Sequence, residues 1–244
     1  MASTSAPVAI VLVCLIVCLG GTPSSSGNTA RDRFRDGPAA VLSGGCRTFL
    51  TAATNVTVAG NLTATVTFAC GFDAPASRYT CRLNYSDNNR VRYDGVQTTS
   101  YKSKSDAVDE VRVVPPLTRW LSLSQTIASV RSDLTHSFDA ESRPIRLVSV
   151  TAGGTITTTY RAWDSLGRPT AGTEVAPQLT TALSFAYDDT ARTSTTTRIA
   201  PGYPRFVGVQ AYNSDGLQTV YNTTFGDRTS TTTTTIASTE RVCR

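Results

Sequence analysis

Along much of this chain apolar and polar residues alternate one by one, the spacing of a pleated strand with one face turned to a core. In Asn61–Cys70, the residues Leu62, Ala64, Val66 and Phe68 share one face, with threonines between them. In Leu179–Tyr187, the set Leu179, Thr181, Leu183, Phe185 and Tyr187 does the same. Gly154–Tyr160 is again rich in Thr and aromatics, the residue types that suit a pleated surface. Trp163 falls on the face opposite Ile156, Thr158 and Tyr160, so the pattern requires a bulge or a one-residue slip before it. Trp120–Leu134 fits either a helix face (Ile127, Val130, Leu134) or a strand, and the surrounding pattern favours the strand. Ser105–Val111 reads as the start of a short helix that Pro115-Pro116 stops.

Between the strand-like runs one phrase returns four times. It reads Phe138-Asp139-Ala140-Glu141-Ser142-Arg143-Pro144, then Trp163-Asp164-Ser165-Leu166-Gly167-Arg168-Pro169. It continues as Tyr187-Asp188-Asp189-Thr190-Ala191-Arg192 and, more loosely, Tyr212-Asn213-Ser214-Asp215-Gly216-Leu217. The aromatic positions lie 25, 24 and 25 residues apart, a fixed period that marks a repeat architecture. Asp or Asn followed by a small residue is turn chemistry, because the Asx side chain caps the backbone and Gly accepts a positive φ. Each period therefore predicts one β-hairpin and a return. Tyr85-Ser86-Asp87-Asn88-Asn89-Arg90 reads as a decayed copy, two periods upstream.

The aromatic-Asp-x-x-Gly-Arg phrase with its Thr-rich approach resembles the YD repeat of Rhs-type secreted and cell-surface proteins, over roughly residues 130–225. The resemblance implies hairpins added side by side into a long curling sheet, which in the family can close into a shell of many more repeats, often around a C-terminal toxin; this chain departs from both, so what carries over is the curled sheet. The expected fold is thus all-β: consecutive antiparallel hairpins of a ~25-residue repeat forming a curled sheet, with an N-terminal disulfide-stapled β region. Four segments are expected: residues 1–27 as an export signal, 28–45 as a flexible leader, 46–132 as the N-terminal β region and 133–244 as the repeat region.

Export follows from the apolar run Pro7–Leu19, of signal-peptide length and too short to span a bilayer comfortably. Simple secretion to the medium, periplasm or cell surface is the first reading; lipid anchoring through Cys18 and a retained anchor are the alternatives. No membrane span is expected once the signal is removed. Beyond the signal, Cys46, Cys70, Cys81 and Cys243 form an even set without the close pairs that a zinc site needs. Cys70 and Cys81 flank a turn-rich connector and are expected to pair, which leaves Cys46 to join Cys243 across nearly the whole chain. The net charge of +5 is scattered, almost all of it Arg, with no basic stripe of the kind a nucleic-acid-binding surface shows.

No catalytic, phosphate-binding, metal or cofactor signature is present. His136 is the one histidine and has no nucleophile motif around it. Asp139, Asp164 and Asp188 recur at turn positions and read as hairpin caps rather than paired catalytic carboxylates. Four Asn-x-Ser/Thr sequons stand at Asn55, Asn61, Asn84 and Asn222. Trp163, Tyr187, Tyr203 and Tyr212 are the candidate stacking platforms for a ligand, and the competing reading puts these rings in the core. The chain is expected to be non-enzymatic, a β-repeat protein for interaction or adhesion, with a glycan or cell-surface partner as the candidate. A structural envelope or accessory role is the alternative, followed by a hydrolase with a site the sequence does not display.

Overall fold

The computed structural model of the protein describes residues 46–102, 120–141 and 143–243. The export signal, the leader and the short helix expected at 105–111 lie outside the described residues. Fourteen strands follow one another: β1 (Cys46–Ala59), β2 (Leu62–Asp73), β3 (Arg78–Asp87), β4 (Arg92–Ser100), β5 (Ser122–Ile127), β6 (Val130–Phe138) and β7 (Pro144–Thr151) form the first half. The second half is β8 (Gly154–Trp163), β9 (Pro169–Ala176), β10 (Leu179–Asp188), β11 (Thr193–Ile199), β12 (Phe206–Tyr212), β13 (Gln218–Phe225) and β14 (Arg228–Cys243). Each strand pairs antiparallel with its sequence neighbours, and β1 pairs with β14, so the sheet closes.

That closure corrects the expected curled sheet. Hairpins were legible one by one, but nothing local tells the first strand that the last will meet it. The physical reason for closure is the open edge: a curled sheet would leave the Thr-rich β14 and the Asn55-bearing β1 as long unpaired ladders, which pairing abolishes. The seam runs from Cys46 opposite Cys243 to Val58 opposite Thr231. The disulfide Cys46–Cys243 staples it, and Cys70–Cys81 bridges β2 and β3, the two pairings expected. Both halves of the chain belong to this one sheet.

The region 120–138 is a hairpin. Ala128 and Ser129 connect β5 to β6 with φ of 47° and 66°, the positive pair of a two-residue turn that matches strand twist. The slip before Trp163 is present as well, as irregular pairing of Tyr160, Ala162 and Trp163 with β9.

Alternation divides every strand into an inward and an outward set. Inside β1–β6 lies a packed core in two clusters. One contains Phe49, Tyr79, Tyr101, Trp120, Leu123 and Leu134; the other contains Val66, Phe68, Leu83, Tyr85 and Ile127. Phe49 stacks on Phe72 at 4.7 Å, and the Tyr79 hydroxyl donates to the Leu50 carbonyl. Burying a large apolar side chain in such clusters contributes roughly 1.5–3 kcal/mol. His136 sits in this wall with its ring 4.0 Å from Trp120. Burial pushes its pKa down to about 3, so it is neutral at ordinary pH. The outward face differs by side: β3–β7 carry Arg82, Asp94, Arg131, Asp133 and Arg146, whereas mid-strand outward positions from β8 round to β2 are Thr, Val, Ala, Ser and Asn.

Candidate functional site

All four recurring turns lie at the end of the barrel that carries Cys46 and Cys243, hereafter the cysteine end. The second is the most complete. Asp164 N–H donates to the Arg168 carbonyl at 2.9 Å, and Gly167 N–H donates to the Asp164 carbonyl at 3.0 Å. Asp164 Oδ1 accepts from the backbone N–H groups of Leu166 and Arg168, both at 2.9 Å. Gly167 has φ of 78°, and Gly216 takes the same place at 75° in the fourth copy, where Asn213 Oδ1 accepts from Asp215 and Leu217. An L side chain at either position would be strained. Asp87 builds the same turn with Arg90 at φ 67° and Val91, but at the far end of the barrel. Tyr85–Arg90 therefore shares the turn chemistry of the repeat without its place in the array.

The repeats are stitched sideways. The Arg143 guanidinium lies 4.9 Å from the centre of the Trp163 ring, and Arg168 lies 4.3 Å from that of Tyr187. Trp163 Nε1–H donates to the Pro144 carbonyl at 3.0 Å, and the Tyr187 hydroxyl donates to the Pro169 carbonyl at 2.6 Å. Each ring thus docks on the Arg-Pro of the repeat before it. A cation over a ring contributes about 0.5–2 kcal/mol, the upper end when desolvated. Arg168 does more: its Nε donates to Asp164 at 2.6 Å, and its Nη1 and Nη2 donate to Asp189 at 2.5 and 3.1 Å. Burial alone would lower the Arg168 pKa, but the bonds to Asp189 and Asp164 outweigh it and hold it raised. These acids are ties, with no pair of carboxylates facing an open cleft.

The structure places the four candidate platforms apart. Trp163, Tyr187 and Tyr212 stand at the cysteine end, partly buried, with the first two capped by arginines. Tyr203 stands at the far end between β11 and β12, 60% exposed. The Tyr212 hydroxyl donates to Gln210 Oε1 at 2.8 Å, and Ser194 Oγ donates to the same oxygen at 3.1 Å.

A second set of residues converges on the lumen side of β8–β13. Arg198 is directly opposite Leu183, which is buried, so Arg198 points inward. Yet 42% of its side-chain surface stays accessible, because it is the penultimate residue of β11 and stands near the far rim of the barrel. Its Nη1 donates to Glu174 Oε1 at 3.1 Å, while its buried Nε has no partner. Phe206 lies 5.8 Å from the guanidinium. Tyr160 and Phe185 pack with ring centres 6.1 Å apart, and burial pushes the Tyr160 pKa up to about 12. Gln210 Nε2 donates to Gln218 Oε1 at 3.1 Å, and Gln218 Nε2 is buried without a partner. The Tyr221 ring of β13, opposite Gln210, leans over Gly208 of β12, so that a Cβ at Gly208 would lie 2.7 Å from the Tyr221 hydroxyl. Aromatic faces beside amide, carboxylate and partly accessible guanidinium groups can bind a polar, uncharged ligand with apolar faces. Among the described residues, no group of three or more His, Cys, Asp or Glu is arranged to hold a metal ion.

Sequence reasoning missed this lumen set. Leu183 and Phe185 were assigned to one face correctly, but placing Glu174, Arg198, Gln210 and Tyr221 on that face needs the register of five neighbouring strands.

No family model matches the chain, and no curated protein matches it. Among solved structures, a porin-like protein from Bacteroides uniformis is similar over 77% of this chain and 97% of its own, at 10% identity and a TM-score of 0.42. A likeness of that size carries no conclusion about activity or location.

Proposed function

We propose that the protein is an exported, non-enzymatic β-barrel whose lumen binds a neutral carbohydrate fragment. The observation that carries the reading is Arg198, turned inward yet 42% accessible, paired with Glu174 beside the Phe206 ring. Sugars present apolar ring faces and many hydroxyls, and this inner face offers aromatic rings and the partly accessible Arg198–Glu174 pair to match. The wall of Trp163, Tyr187 and Tyr212 serves to join repeats rather than to stack on ligand. The Arg-to-next-aromatic stitching supports treating residues 130–225 as a short relative of the YD repeat.

On the β3–β7 side the distribution of side chains supports an aqueous setting. A transmembrane barrel turns an apolar band outward and polar groups inward. Here the aromatic clusters point inward, and Arg82, Asp94, Asp133 and Arg146 point outward. Arg on a lipid face near the midplane would cost roughly 2–4 kcal/mol each. Disulfides at both the seam and β2–β3 agree with an oxidising compartment.

The test is calorimetric titration of the oxidised protein with neutral oligosaccharides. The paired variant Glu174→Gln/Arg198→Met should abolish saturable binding, and Trp163→Phe should leave it intact. Binding that survives the lumen variant, or that disappears with Trp163→Phe alone, would move the site to the turn array. No binding to any oligosaccharide would leave the barrel as a structural component.

A further inference from the structure

The four sequons are not equivalent once the chain is folded. Asn55 is 1% exposed on the inner face of β1, opposite Thr234 on one side and Val66 on the other, and its Oδ1 has no partner. Asn84 is exposed on the outer face of β3, between Thr67 of β2 and Asp94 of β4. Asn222 is exposed on the outer face of β13, between Val209 and Thr231. Asn61 is exposed in the two-residue turn with Gly60, whose φ is 58°. The hydroxyl residues of these three sites, Thr63, Ser86 and Thr224, complete their sequons.

We infer that Asn61, Asn84 and Asn222 are N-glycosylation sites of the secreted protein, and that Asn55 is not. The transfer is a substitution with no redox change. The Asn Nδ2 bonds to C1 of the first sugar of a lipid-linked oligosaccharide, the C1–O bond to the lipid diphosphate breaks, and the amide loses one proton. A glycan on any of the three outward sites projects into solvent. One on Asn55 would have to occupy the interior beside Val66, and a chain carrying it cannot close the β1–β14 seam. All three glycans stand on the outside, so the lumen stays free of them.

The full chain, secreted from a cell that performs N-glycosylation, tests this directly. Amidase treatment in heavy-oxygen water converts each occupied Asn to labelled Asp, and peptide mass mapping scores the four sites separately. Label at 61, 84 and 222 with none at 55 is the expected result. An unlabelled site among the three removes that site from the assignment. Label at Asn55 in folded, disulfide-bonded protein would overturn the argument, because it would show that the inner face of β1 tolerates a glycan. Asn84→Gln and Asn222→Gln should each remove one glycan's mass without changing the melting temperature by more than about 2 °C, as outward substitutions do.

Discussion

The two disulfides invite a comparison that isolates chain entropy from packing. Cys46–Cys243 closes a sequence separation of 197 residues, and Cys70–Cys81 closes one of 11. On the loop-closure model the first restricts the unfolded chain by about 5 kcal/mol and the second by about 3 kcal/mol. Each pair contains one buried and one more exposed sulfur, Cys46 and Cys81 being the buried ones, so truncation to alanine removes a comparable packing contribution from both. The difference between Cys46→Ala/Cys243→Ala and Cys70→Ala/Cys81→Ala should therefore be about 2 kcal/mol, with the seam variant the less stable. For a domain of this size that is a gap of about 4–8 °C in melting temperature. Thermal melts followed by circular dichroism read the order, and urea titration reads the unfolded state through a larger m-value for the seam variant. Equal losses, or a greater loss from the β2–β3 pair, would refute the entropic account and place the stabilisation in local native geometry.

Three further outcomes follow from the interior and the turns. His136 has a folded pKa of about 3 against an ordinary 6.5, so the unfolded chain takes up a proton first as pH falls. Stability should be full above pH 6.5 and decline toward pH 3 at up to about 1.4 kcal/mol per unit, and His136→Phe should flatten that slope in urea titrations. Arg168→Met leaves Asp164 and Asp189 without their cation and should cost about 3 kcal/mol, whereas Arg143→Met, whose side chain is 39% exposed, should cost distinctly less in the same urea titrations. Gly208→Ala should cost about 1–3 kcal/mol because its methyl meets Tyr221, and Tyr221→Ala should relieve that cost in a double-mutant cycle.

What the sequence by itself determined was local. Period-two alternation in Leu62–Phe68 and Leu179–Tyr187 marked strands and their buried faces, since neighbouring side chains on a pleat must point opposite ways. Asp and Asn followed by Gly marked turns, since the carboxylate or amide caps the backbone within five residues. The disulfide pairing was legible because Cys70 and Cys81 flank one hairpin. Closure was not, because pairing of Val56 with Thr233 depends on the twist and stagger accumulated over fourteen strands. The roles of the repeat aromatics were equally out of reach. Along the chain Trp163 and Tyr187 fit either a ligand platform or the core, and only lateral packing shows the arginine of the preceding repeat lying on each. The lumen site belongs wholly to tertiary structure: Glu174 and Arg198 are 24 residues apart, and they meet because β9 and β11 flank β10 with matched inward faces.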